Sequence, residues 1–273
     1  MRLIAHLSDL HFGRERRSAV AALQAELQAL APDLVIVSGD LTQRARAKQF
    51  AAARDFLRSL PGPTLVLPGN HDIPLYDVPR RAFDPLGMYR RFIARDVCPS
   101  FYDDELAVLA LNTATASTWR EGRVTAAKAD LVRERFRDVP AAAIRILVTH
   151  HPLLGQAAGE RGNTVAGRDA VLAAAADRGA DVFLSGHTHV EHAAAIDLRH
   201  GGTSHSVLAL EAGTAVSDRT RDAGDSINVL KTSPTLIELE VRRTWPVRTC
   251  RDGLFTPTTR VRFARTNSGW QAA

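Results

Sequence analysis

Three histidines fall within six positions in the stretch LSGHTHVEH (184–192): His187, His189 and His192. Imidazoles at that density suit metal coordination or proton transfer better than packing. Upstream, Asp9 and His11 follow the apolar run LIAHL (3–7), and Asp40 follows LVIV (34–37). Asn70, His71 and Asp72 follow TLVL (64–67), and His150 and His151 follow IRILV (144–148). The histidine cluster itself follows DVFL (181–184). Each apolar run therefore ends in groups that can bind a metal. Imidazole with carboxylate, and no thiolate, suits a divalent Mn, Fe, Zn, Ni or Co ion rather than a closed structural zinc site.

Asp9, His11, Asp40, Asn70, His150, His187 and His189 are the candidate ligands. They are too many for one catalytic ion with an open position, and they suit two ions sharing a carboxylate. Asp9/His11 and His187/His189 are each two residues apart, and in an extended chain such pairs face the same way. Any one of these motifs alone is weak, since an Asp-x-His can be a strand end and a Gly-Asp a turn or cap. Gly39, Gly69 and Gly186 read as turn formers.

The elements that must position these residues are legible in outline. The apolar runs are short and rich in Val, Ile and Leu, as buried strands are. Between them, 17–30, 47–60, 125–137 and 168–178 carry apolar residues every three to four positions, as amphipathic helices do. Alternation of this kind predicts βαβ units and a largely parallel sheet, with the clusters at its C-terminal edge, where ligands bind in α/β sheets. After residue 190 the runs 193–199, 204–210, 227–230 and 235–243 read as strands without helices, which predicts a second, more antiparallel sheet. The expected organisation is one domain over 1–243 and a C-terminal extension, 244–273, partly strand with a loose end.

Composition narrows the function classes. The chain has 273 residues, of which 45% are hydrophobic. No apolar run approaches the roughly 20 residues of a membrane span. The N-terminal apolar run is too short for a signal segment, which predicts a cytoplasmic protein with no membrane partner. The two cysteines, Cys98 and Cys250, are far apart and read as reduced thiols. The net charge of +5 rests almost wholly on arginine, since the only lysines are Lys48, Lys128 and Lys231. Arginine pairs well with phosphate, although so small an excess, without a run of like charges, reads as compositional bias.

Taken in order, SDLH, GDLT, GNHD, HHP and GHTH resemble the signature blocks of the calcineurin-like metallophosphoesterases. In spelling they are most similar to the bacterial class III cyclic nucleotide phosphodiesterases and related diesterases. The resemblance implies an α/β fold, a four-layer αββα sandwich of two mixed β-sheets flanked by helices. It implies that Asp9, His11, Asp40 and His189 hold one divalent ion, and that Asp40, Asn70, His150 and His187 hold a second, with Asp40 bridging. Mn, Fe or Zn are the expected metals. It implies hydrolysis of a phosphodiester by a hydroxide held between the ions, with His71 contacting the phosphate or protonating the leaving oxygen. His192 receives no role and reads as a surface residue.

One position departs from the phosphatase spelling G-D-x-x-D-R-G. Gln43 stands where a second Asp would orient His71, which weakens a His–Asp dyad and a protein-phosphatase reading. Arg44 matches the Arg of that block and is a candidate phosphate contact. The segment 211–230 is expected to be a long connection, concentrating Thr214, Ser217, Arg219, Arg221, Ser226 and Asn228. It resembles a segment that diesterase-like relatives carry after the last block. Arg219 and Arg221 are its candidate substrate clamps, unless Asp218, Asp222 and Asp225 neutralise them. The substrate class is a phosphodiester, a cyclic nucleotide or a nucleic acid. The rival readings are a nuclease on the same core, a phosphomonoesterase and an inactive scaffold. The intact ligand set argues against the last. The oligomer is open, a homodimer included.

Overall fold

The structure, a computed structural model, describes residues 1–154, 165–200, 203–219, 224–244 and 254–273. Arg221, Asp222 and Cys250 lie outside the described residues. The first three strands are β1 (Arg2–Leu7), β2 (Leu34–Val37) and β3 (Thr64–Val66), joined through α1 (Arg17–Leu30) and α2 (Ala47–Arg58). They pair in parallel in the order β3-β2-β1. Two short helices follow, α3 (Val78–Phe83) and α4 (Gly87–Phe92), and then β4 (Ser100–Tyr102). The next strands are β5 (Leu106–Leu111), β6 (Ile144–Thr149) and β7 (Val182–His189), with α5 (Ala126–Arg135) and α6 (Arg168–Asp177) between them. They pair in parallel with each other, not with β1 to β3. The expected single parallel sheet is thus two.

The later strands are β8 (His192–His200), β9 (Thr203–Gly213), β10 (Asp225–Thr232) and β11 (Leu236–Thr244). They do not form the separate sheet expected of them. β9 adds to β7 and carries β8, whereas β10 and β11 add to the free edge of β1. Each parallel half thereby gains an antiparallel flank, and both halves become mixed sheets.

Side-chain alternation explains why the halves stack. In β2, Leu34 and Ile36 face the other half while Val35 and Val37 face α1 and α2. In β6, Ile144, Ile146 and Val148 face inward while Leu147 faces α5 and α6. A strand buried on both faces reads as a continuous apolar run, which is how these runs appear. Three apolar layers result, helix on sheet, sheet on sheet and sheet on helix, and these make the four-layer αββα sandwich. β5, LAVLAL, is buried at all six positions and lies between β6 and the edge strand β4, yet it carries no catalytic cluster to draw attention to it.

The chain end expected to be loose is paired in strands over 256–272. β12 (Thr256–Thr266) pairs with β11, and β13 (Gly269–Ala272) pairs with β12 and meets β9 at Gly269–Ser206. That single pair joins the two halves into one continuous ladder. Trp270 is fully buried, and its indole N–H donates to Asp181 Oδ1 at 3.0 Å. Arg265 donates to the same oxygen at 2.7 Å, and the backbone N–H of Arg145 donates to Asp181 Oδ2 at 2.9 Å. A buried carboxylate so satisfied ties the chain end to β6 and β7. Among the described residues no helix is long and apolar enough to cross a membrane.

Candidate metal centre

The loops after β1, β2, β3, β6 and β7 meet at one edge of the sandwich. Asp9, His11, Asp40 and His150 are almost wholly buried there. Their ligand atoms fall into overlapping groups. Asp9, His11 and His189 converge within 4.8 Å, as do Asp9, Asp40 and His150. Asp40 Oδ2 lies 3.7 Å from His11 Nε2 and 3.4 Å from His150 Nε2. Asn70 Oδ1 lies 3.1 Å from His150 Nε2, and the His187 ring centroid is 5.2 Å from that of His150. The carboxylate of Asp40 thus stands between a His11/His189 side and an Asn70/His150/His187 side. His192 opens β8 on the other side of a turn and is in none of these groups.

The backbone makes this convergence, and not in the extended form expected of pairs two apart. Asp9, His11, Asp40, His187 and His189 have φ of 55°, 47°, 52°, 71° and 61°. Non-glycine residues rarely adopt the left-handed region, and the cost of about 1–3 kcal/mol each is tolerated where surrounding structure fixes it. Here Asp9 and His11 donate their N–H groups to the carbonyls of Gly39 and Asp40, at 3.1 and 2.9 Å. The His187 N–H donates to Asp9 Oδ2 at 2.9 Å, locking the β7 turn onto the β1 loop. Gly69 and Gly186 are needed for closeness rather than for turning. A Cβ on Gly69 would lie 2.1 Å from Asp40 Oδ1, and one on Gly186 would lie 1.8 Å from Ser8 Oγ.

The outward ring nitrogens are also held. His150 Nδ1–H donates to the Ser38 carbonyl at 2.8 Å, and His189 Nδ1–H donates to the Arg219 carbonyl at 3.0 Å. Both bonds turn Nε2 toward the carboxylates, as ligand histidines require. Asp72, to which the motif pattern assigns no role, organises the floor. Its carboxylate accepts from the N–H groups of Leu41, Thr42 and Gly69 and from the Thr42 hydroxyl. Burial, and then the nearby Asp40, push its pKa up to about 7.

Charge in the cluster is strongly coupled. Burial works against the Asp40 carboxylate, yet the surrounding imidazoles of His150, His71 and His11 hold it well below the usual range. Burial likewise opposes a charged His150, but Asp40 and Asp9 raise it to about 9. His187 is lowered to about 4 by burial and by His150.

His71 sits beside the cluster at the floor of a cleft of roughly 790 Å³. Its N–H donates to Asp40 Oδ1 at 2.8 Å, and its Nδ1–H donates to the backbone carbonyl of Gln43 at 3.0 Å. The partner missing from the Gln43 side chain is thus supplied by the Gln43 main chain. Arg219 Nη1 lies 3.0 Å from His71 Nε2, and Arg44 Nη1 lies 3.3 Å from His71 Nδ1. Both arginines line the cleft, as do Arg14 and Arg120. Asp218 does not neutralise Arg219, because it turns to Arg14 at 2.9 Å. The other described donors of that segment do not line the cleft. Thr214, Ser217, Ser226 and Asn228 are buried, and since β9 runs on to Gly213 and β10 begins at Asp225, Ser226 and Asn228 lie in a strand and only 214–224 connects the two. Asn228 Nδ2, for one, donates to the Glu211 carbonyl at 3.1 Å.

The profile of the calcineurin-like phosphoesterases matches residues 2–191. A glycerophosphodiester phosphodiesterase of Enterobacter lignolyticus (strain SCF1) is 36% identical over 81 residues, which cover 26% of this chain and 29% of the relative. A 3′,5′-cyclic adenosine monophosphate phosphodiesterase of Escherichia coli (strain K12) is 24% identical over 164 residues, 55% of each chain. The matches thus span less than two thirds of those relatives' lengths. Among solved structures, a purple acid phosphatase from yellow lupin (Lupinus luteus) seeds superposes with a TM-score of 0.66 at 14% identity, covering 89% of this chain and 51% of that one. A dimetal phosphatase from Danio rerio superposes with a TM-score of 0.61 at 10% identity, covering 89% and 96%. These likenesses show the same fold, and the five blocks of ligand-type residues stand at its expected edge. The chain belongs to the calcineurin-like phosphoesterase family.

Proposed function

We propose that this protein hydrolyses phosphodiesters at a centre of two divalent metal ions. The observation that carries the reading is the placement of Asp40 Oδ2 between His11 Nε2 and His150 Nε2. A carboxylate so flanked can be shared by two cations. The donor set fits such ions on two further counts. Asp9 Oδ1 is buried 3.2 Å from His189 Nε2 and 3.5 Å from His11 Nε2, without hydrogen-bond geometry to any neighbour. Against the effect of burial, the carboxylates raise His150 to about 9 and raise His189 as well, favouring positive charge where a bound cation would supply it. Asp9, His11, Asp40 and His189 would hold one ion, and Asp40, Asn70, His150 and His187 the other. Mn, Fe and Zn all suit this donor set. Ions held there supply Lewis acidity and a nucleophilic water at neutral pH.

The chain's own groups do the rest. Arg219 and Arg44 flank His71 and offer guanidinium N–H groups to the phosphoryl oxygens. His71, with Nδ1–H committed to the Gln43 carbonyl, turns an unprotonated Nε2 into the cleft. Burial lowers its pKa, so Nε2 must first take a proton from water and can then pass it to the leaving oxygen. A diester is favoured over a monoester because, among the described residues, a backbone carbonyl and not a carboxylate accepts from His71 Nδ1, and because the sequence relatives named above are diesterases. The test is hydrolysis by the Mn-loaded protein of bis-p-nitrophenyl phosphate, p-nitrophenyl phosphate, cyclic nucleotides, glycerophosphodiesters and single-stranded DNA. Faster turnover of diesters than of p-nitrophenyl phosphate is expected, and the reverse order overturns the reading.

A further inference from the structure

One part of the cleft lining, bordered by Arg81 and Arg120, has a different chemistry. Trp119 lies on the segment between β5 and α5 and is 56% exposed, although most large aromatic side chains here are buried. It lines the cleft together with Ile73 and Leu75. Its ring is not loose. Arg81 of α3, 7% exposed, places its guanidinium 4.2 Å from the indole centroid. The same guanidinium donates to the carbonyls of Ala116 at 3.1 Å, Pro74 at 3.0 Å and Thr118. These contacts fix both the backbone beside Trp119 and one face of its ring. The Trp119 carbonyl accepts from Asn70 Nδ2 at 3.5 Å, so the indole belongs to a residue in contact with the candidate metal centre.

An indole covered on one face and more than half exposed, on a residue that lines the cleft, leaves its other face open to a planar group. The cleft arginines attract anionic oxygens, and Trp119 offers a flat apolar surface among them. We propose that Trp119, backed by Arg81, is a stacking platform for a nucleobase, and that the diester taken by this cleft is a nucleotide ester, with its phosphate toward Arg219 and its base on the indole. The inference rests on the diesterase reading and names its substrate class. Stacking on an aromatic side chain is tolerant of base identity. The platform therefore selects for a planar ring rather than for one base. Arg81 also holds the electron-rich face of the indole, so the platform keeps its pose before substrate arrives.

The experiment compares two diesters on the Mn-loaded protein, cyclic AMP and the ring-free glycerophosphoethanolamine, in the parent, Trp119→Ala and Trp119→Phe. Base–aromatic stacking is worth about 1–3 kcal/mol, or roughly 5- to 150-fold in affinity. Trp119→Ala is expected to lower kcat/KM on cyclic AMP by about that factor more than on the ring-free diester, mostly through KM. Trp119→Phe should recover most of the difference. Binding of AMP, followed by calorimetry, should weaken in parallel in Trp119→Ala and recover in Trp119→Phe. Equal losses on both diesters, or unaltered AMP binding in Trp119→Ala, overturn the platform while leaving the diesterase reading in place. If the parent hydrolyses no diester yet binds AMP through Trp119, the diesterase reading fails and the platform stands.

Discussion

Arg219 places Nη1 3.0 Å from His71 Nε2, while the Arg219 carbonyl accepts from His189 Nδ1 at 3.0 Å. One residue therefore touches both the proposed proton carrier and a proposed metal ligand, by side chain and main chain respectively. The two contacts separate under mutation. Arg219→Ala removes the guanidinium and keeps the carbonyl. A hydrogen bond to a charged group contributes about 1.5–3 kcal/mol, so kcat/KM on the best diester is expected to fall roughly 10- to 100-fold. Metal content, read by elemental analysis, should match the parent. Loss of metal in this variant would show that the side chain is structural.

His71→Ala tests the neighbouring role. It removes Nε2 from the cleft without removing a proposed ligand. The rate on a diester with a poor leaving group is expected to fall about 10²- to 10⁴-fold, the range for a general acid or base. With p-nitrophenol as leaving group, which needs little protonation, the loss should shrink. Equal losses on both would leave His71 only a phosphate-positioning part.

Gly69→Ala tests whether the Asp40 pose governs the centre. The added Cβ would lie 2.1 Å from Asp40 Oδ1 and 2.4 Å from the Asp40 N–H nitrogen. One of them must move. The variant is expected to bind less than half the parent's metal and to lose activity in step, as Asp40→Ala should by losing more than one ion per chain. Parent-like metal content in both variants would remove Asp40 from its shared position.

Trp270→Ala tests the closure of the ladder. The indole is fully buried and donates to Asp181. Truncating a buried Trp costs about 3–5 kcal/mol, and the lost donor weakens the shell around a buried carboxylate. Chemical denaturation should show a loss near that size, whereas Asp181→Asn, which keeps the volume, should cost less. A change below about 1 kcal/mol would mean that the C-terminal strands are dispensable to the sandwich.

The sequence by itself determined where the chemistry sits. Apolar runs ending in Asp, Asn and His dictate strands whose C-terminal ends carry candidate ligands, and the period of 17–30 and 47–60 dictates helices beside them. These are local properties, set by side-chain pattern along the chain. The pairing of strands was not local. β10 and β11 could have paired with β9, their neighbour in sequence, but the free edge of β1 and the apolar face of the first half took them instead. Nor could the pattern show that TNSGWQAA closes the sheet, because the partner of Trp270 is Asp181, 89 positions away.

Within the site, the residue types were legible and the geometry was not. The left-handed backbone at Asp9, His11, Asp40, His187 and His189 is imposed by tertiary hydrogen bonds between loops, against the local preference of those residues. The carbonyl of Gln43 replaced the carboxylate that its side chain lacks, a substitution no side-chain motif can reveal. Trp119 had no signal at all in a segment of small and polar residues. It became part of the cleft only because Arg81, 38 positions upstream, gathers three carbonyls and one indole face around a single buried guanidinium.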